Sequence, residues 1–149
     1  MPAVQFNLFD QFRLNNFNGG GVDFILPVTG ALNMAVMSAL YVPDQNTDTD
    51  WTAISANEVT GTGYTLGGNP CDNGTATVDA GGVVTVDAAD PDTWAQDPAG
   101  FSNGRSCVLY EVGSGQLIGY SNDFGADQGN LNGDFFIAFG VAGIMVSQR

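Results

Sequence analysis

Short apolar segments cut at intervals by glycine constrain this chain more than any other feature. Thr75–Val78 and Val83–Asp87 flank Ala80-Gly81-Gly82. Ser106–Val112 and Gln116–Ser121 flank Gly113-Ser114-Gly115, and Phe135–Val141 and Ile144–Ser147 flank Ala142-Gly143. Each pair is spaced as a β-hairpin with a glycine turn. Val22–Leu26 is a further short strand stopped by Pro27, and Ala31–Val42 is the strongest one, stopped by Pro43. In that strand Leu32, Met34, Val36, Leu40 and Val42 point one way, while Ala35, Met37, Ala39 and Tyr41 point the other. Apolar residues on both sides predict a central strand covered on both faces. No helical period appears after the first 20 or so residues, in line with all-β patterning. The reading is an all-β fold, an antiparallel β-sandwich or jelly-roll-like barrel, with a short N-terminal arm or helix.

The arm is the ambiguous part. Val4, Phe6, Leu8, Phe12 and Leu14 fit a period of two, but Leu8, Phe9 and Phe12 also share one helical face. The segment Phe17-Asn18-Gly19-Gly20-Gly21 ends whatever precedes it. The division is therefore an arm over residues 1–21 and one β domain over 22–149, with at most one short helix, at Phe6–Leu14. Three phenylalanines so close together must be buried, either on their own domain or on a neighbouring subunit. At 149 residues, 44% of them hydrophobic, the chain can fill one core.

Charge narrows the partners. Lys is absent, and Arg13, Arg105 and Arg149 face 16 acids, for a net charge of −13. Nucleic-acid and anionic-membrane affinity both rest on Lys and Arg, so neither is expected as a partner. There is no His, which removes the commonest general base and every Ser-His or Cys-His pair. No catalytic residue is assigned, and an enzyme is not expected. No apolar run reaches the ~18 residues of a membrane span. The start Met1-Pro2-Ala3-Val4-Gln5-Phe6 does not read as a signal peptide, so the expectation is assembly in a cytoplasm. Cys71 and Cys107 are the only cysteines. They are either a bridge stabilising by about 3–4 kcal/mol or two small buried thiols, which a reducing compartment favours.

Two acidic loops invite chemistry. Asp44, Asn46, Asp48 and Asp50 place four oxygen-bearing side chains on alternate residues, as the start of a calcium loop does. But Thr49 stands where the turn glycine belongs and Ser55 where the bidentate Glu belongs. The competing reading is an Asx-turn loop, so no cofactor is expected and calcium is the alternative. Asp87, Asp90 and Asp92 form a second loop beside Trp94, where a carboxylate pair of glycosidase type would need two acids facing each other. Gly61-Thr62-Gly63 and Gly67-Gly68 lack the Lys and the strand-to-helix setting of a phosphate loop. They read instead as glycines for positive φ or a bulge in an extended segment.

Several of these pieces recur together in one family. The order is Phe6-Asn7-Leu8-Phe9-Asp10-Gln11-Phe12, then Ala39-Leu40-Tyr41-Val42-Pro43-Asp44, then Asn57-Glu58-Val59-Thr60-Gly61-Thr62-Gly63-Tyr64-Thr65. An Asp-rich stretch ending in Thr93-Trp94 follows, then Leu117-Ile118-Gly119-Tyr120, and last Ala142-Gly143-Ile144. In this the chain resembles small structural proteins of tailed bacteriophages, over nearly its whole length. Asn57–Thr65 is the most specific piece. The chain departs from the pattern at Gly19–Gly30 and at Asp97-Pro98-Ala99-Gly100.

The resemblance implies a virion protein at the capsid surface. Its role would be decoration or cement, binding the major capsid protein and stabilising the head. A tail, fibre or glycan-binding receptor module is the alternative. A homo-oligomer, a trimer at a local three-fold axis, would multiply a modest contact into avidity. The contact residues assigned on this reading are Phe6, Phe9, Phe12, Trp51 and Tyr64, with the acidic loops facing solvent. It also predicts that removing residues 1–17 leaves a folded domain.

Overall fold

A computed structural model describes residues 6–19, 32–72, 74–82, 84–139 and 145–147. The fold is all-β, antiparallel and sandwich-like, with two short helices. β1 (Phe6–Leu8) is followed by α1 (Asp10–Phe17) and β2 (Leu32–Ser38). Then come α2 (Trp51–Ile54), which runs into a 3-10 turn at Ser55–Asn57, and β3 (Asn69–Pro70). β4 (Thr75–Val78), β5 (Val84–Asp87), β6 (Gly104–Glu111), β7 (Leu117–Ser121) and β8 (Met145–Ser147) complete the chain. One sheet has the order β1-β7-β6-β2-β3 and the other β4-β5-β8.

β2 is central, with β6 on one edge and β3 on the other. Met34, Ala35, Val36 and Met37 are all fully buried, so both faces are covered, as its apolar pattern on both sides requires. The strand is shorter than predicted. Its register with β6 breaks between Met37 and Ser38, and the Tyr41 N–H turns back to the Ser38 carbonyl at 3.1 Å. Leu40 and Val42, expected inside, are 83% and 81% exposed. Tyr41 returns to the interior, and its hydroxyl donates to Asp48 Oδ2 at 2.8 Å.

The hairpins around Gly81-Gly82 and Gly113-Ser114-Gly115 form as read, pairing β4 with β5 and β6 with β7. The third is not seen among the described residues. Phe135 exchanges both backbone bonds with Trp94, at 2.9 Å each, and β8 pairs with β5. Val22–Leu26 and the turn of the third hairpin lie outside the described residues.

The N-terminal segment is part of the domain and not a separate arm. β1 pairs with β7, and the Phe9 N–H donates to the Ile118 carbonyl at 3.1 Å. Phe9 and Phe12 are fully buried in the main core, and the Phe9 ring lies 4.9 Å from that of Tyr120. The segment resolves its own ambiguity by being both things: Phe6–Leu8 is strand and Asp10–Phe17 is helix. Burying those two rings fixes residues 6–17 to their own sheet, and the boundary read at residue 21 lies outside the described residues. The second helix, α2, was unexpected. It is a single turn, and Asp50 caps it by accepting the Thr52 N–H.

Candidate functional site

The segment Glu58–Gly68, which overlaps the most specific stretch Asn57–Thr65, builds one side of a groove beside the main sheet. Its start is clipped to β2: Glu58 bridges Met37, and the Val59 N–H donates to the Val36 carbonyl at 3.0 Å. Its end rejoins β2 through β3. That return demands glycine. Gly67 and Gly68 have φ of 90° and 76°, and a Cβ on Gly68 would stand 2.0 Å from the Met34 carbonyl oxygen.

Between these anchors the Glu58 carboxylate organises the loop. Tyr64 Oη donates to Glu58 Oε1 at 2.6 Å. The Gly67 N–H donates to Oε1 at 2.8 Å and to Oε2 at 3.1 Å. Tyr64 Oη also accepts the Val36 N–H at 2.9 Å. Tyr110 on β6 donates to the Gly67 carbonyl at 2.8 Å, and Asn33 Nδ2 joins it at 3.0 Å. Burial pushes the Glu58 carboxyl above its ordinary range, against the pull of the bonds from Tyr64 and Gly67. Burial and the neighbouring Glu58 charge raise Tyr64 far above the usual phenol value.

The other wall comes from α2. The Trp51 N–H donates to the Gly115 carbonyl at 2.8 Å, which sets α2 against the β6–β7 turn. Gly115 is required there: its φ is 74°, and a Cβ would meet Asp50 Oδ2 at 2.9 Å. The indole of Trp51 is thereby stacked on Tyr110, with centroids 4.3 Å apart and planes within 8°. The result is an open groove of about 490 Å³ lined by Trp51, Ser55, Glu58, Leu66, Gly67, Tyr110 and Val112. Leu66 is 69% exposed and Val112 46%. The groove therefore presents an aromatic wall, apolar rims and a carboxylate.

The residues predicted as partner contacts separate into three kinds. Trp51 lines the groove. Tyr64 packs inward, its ring stacked over Trp94 at 5.9 Å and edge-on to Phe101 at 5.3 Å, so it positions Glu58. Phe9 and Phe12 are core, and Phe6 is half-buried against Phe139 at 5.7 Å. Sequence reading passed over Tyr110, Leu66 and Val112. Tyr110 sits inside a strand pattern that reads as core, and nothing local marks Leu66 or Val112 as exposed. It also passed over Asn130, fully buried, whose Oδ1 accepts the Phe101 N–H and whose Nδ2 donates to the Ala95 carbonyl.

The first acidic loop is an Asx-turn structure. Asp44 Oδ1 accepts the N–H of Asn46 at 2.9 Å and of Thr47 at 3.3 Å. Those bonds, the Asn46 N–H first, hold its carboxyl below the usual range. Asp48 Oδ2 accepts from Tyr41 Oη and from the Asp44 N–H, and Asp50 caps α2. Among the described residues no three His, Cys, Asp or Glu side chains converge as a metal site. In the second loop, Asp90 Oδ1 accepts the Phe139 N–H at 2.7 Å.

Cys71 and Cys107 are free and buried, the buried-thiol arrangement of the two alternatives. Cys107 pairs with Val36 across one edge of β2, and the Cys71 N–H bonds to Leu32 on the other edge. Two strand spacings put their backbones about 9–10 Å apart at least, beyond disulfide reach. Burial pushes Cys107 up to about 12 and Cys71 higher still.

Among the described residues no helix is long and apolar enough to cross a membrane. Fold and groove together define a mainly antiparallel β domain with an open groove beside its larger sheet. Compared with known proteins, the chain matches no family model, no curated protein and no solved structure.

Proposed function

We propose that the protein is a structural component of a tailed-phage virion, a decoration or cement protein that binds the major capsid protein and stabilises the head. The sequence resemblance supplies the class. The observation that carries the mechanism is the groove, where Leu66 and Val112 stand exposed beside Trp51. A domain of net charge −13 gains nothing in isolation from such a surface, and apolar area rimmed by polar groups suits a partner. The groove is rigid before contact, because Glu58, Tyr64 and Tyr110 are bonded to one another's loops. Little ordering entropy then opposes docking. The role is non-catalytic and cofactor-free, exercised at the capsid surface after assembly in the host cytoplasm. The protein acts as a homotrimer, one groove per subunit, so that a weak contact is multiplied. Neither nucleic acid nor membrane is a partner, for want of cations.

Because Phe9 and Phe12 are core, the contact role passes from the N-terminal segment to the groove. A second reading, a glycan-binding tail or fibre module, draws on the stacked Trp51–Tyr110 pair beside a carboxylate. Copies per particle separate the two: gel densitometry should find hundreds on the shell, whereas a few at the tail would reject decoration. Incorporation of the Leu66→Asp, Val112→Asp double variant into particles should fall at least tenfold with its circular dichroism spectrum unchanged. Wild-type occupancy would reject the groove as the contact.

A further inference from the structure

We propose that the groove receives a single arginine side chain presented by the partner. The features that line it match the parts of that residue. Leu66 and Val112 at the rim suit the aliphatic stem, which long cationic side chains lay along apolar surface. Trp51, stacked on Tyr110, offers an aromatic wall suited to a planar guanidinium. Glu58 lines the same groove, and a carboxylate is the bidentate partner of that group. Its Oε1 takes the two shorter bonds, from Tyr64 and Gly67, while Oε2 takes the longer 3.1 Å share of the Gly67 N–H, with the Gly68 N–H also close to the carboxylate. Oε2 therefore keeps acceptor capacity toward an incoming donor.

Charge says where the cation comes from. The chain has no Lys and three Arg. Arg105 is held by Asp123 at 2.8 Å and by Asp127 at 3.3 Å, and Arg13 lies beside Asp10 at 3.5 Å. No cation of the described chain reaches Glu58, and burial alone raises its pKa. An incoming guanidinium would reverse that penalty, which is electrostatic complementarity left open for a partner. The inference rests on the groove being the docking surface and is independent of which particle supplies the arginine.

The test uses the full chain and N-acetylarginine amide as probe, followed by NMR at the Trp51 indole and the Gly67 amide. N-acetylcitrulline amide, a neutral isostere, and N-acetyllysine amide are the comparison arms. Saturable shifts at those two groups are expected for arginine with a dissociation constant of about 1–10 mM, the scale of a few contacts. They should be at least fivefold weaker for citrulline and for lysine. Val112→Lys, at an exposed position, tethers a competing cation at the rim and should abolish the shifts with the fold retained. Glu58→Gln should erase the preference for arginine over citrulline. Equal response to citrulline overturns the inference, as does a response confined to the Asp-rich loops. A sedimentation change in Arg13→Gln without probe would assign the groove to a second copy and overturn the partner assignment. If arginine fails to bind while Leu66 and Val112 remain necessary for incorporation, this inference falls and the decoration reading stands. If arginine binds but the rim residues are dispensable on particles, the decoration contact falls and this inference stands.

Discussion

At the scale of single residues, Tyr64 and Glu58 set the groove. Tyr64 Oη is the common partner of the Val36 N–H and the Glu58 carboxylate. Tyr64→Phe keeps the ring packing against Trp94 and Phe101 but leaves a buried N–H unsatisfied. Urea unfolding should show a loss of about 1–3 kcal/mol, and no loss would mean that the bond is not made. Glu58 yields a pH prediction. Its folded-state pKa lies above its ordinary value because burial outweighs the bonds from Tyr64 and Gly67. Its contribution to stability is then complete below the ordinary glutamate value and is lost as pH rises through the raised one. Glu58→Gln carries no such titration. The stability of wild type relative to that variant should fall as pH climbs across the window, measured by denaturant titration at successive pH values. A constant difference would reject an environment dominated by burial.

Elements explain what the groove stands on. β1 and α1 are bound in through Phe9 and Phe12, both fully buried, so removing residues 1–17 strips the core and an edge strand together. The truncated chain should lose its cooperative thermal transition. Phe9→Ala alone should cost about 3–5 kcal/mol. A truncated chain that unfolds cooperatively near the wild-type midpoint would show that the segment is dispensable. α2 illustrates a different lesson. Its four residues have no room for a helical period, but Asp50 followed by Trp51-Thr52 is a capping signal. That signal fixes where Trp51 points, and it was present in the sequence without being legible as part of a site. β4, exposed along all four residues, needed no long-range information: the Ala80-Gly81-Gly82 turn predicted it.

For the molecule as a whole, charge is the dominant adjustable term. Sixteen acids against three arginines leave the compact state under self-repulsion that salt relieves. The thermal midpoint should rise by several degrees between about 10 mM and about 0.5 M NaCl, read by scanning calorimetry. A falling midpoint would mean that attractive surface pairs dominate. The ion pairs among the described residues that could oppose this are Arg13–Asp10 and Arg105 with Asp123 and Asp127. They are exposed wholly or in part and contribute little.

The sequence by itself determined the class of fold. Glycine-punctuated β segments dictate hairpins, and an apolar pattern on both faces dictates a central strand, since both follow from local geometry and the need to bury apolar surface. It also determined the Asx-turn character of Asp44 and Asp50, each of which accepts the N–H two residues on. Tertiary structure alone decided the rest. Whether Phe9 and Phe12 face a neighbour or their own core depends on β1 meeting β7 more than 100 residues away. Whether two cysteines can bridge depends on which edge of β2 each one takes. The groove joins Trp51, Glu58 and Tyr110 from three separated segments, and only strand order and the turn at Gly115 bring them together. Periodicity records which residues must be buried; it carries no information about which distant segment buries them.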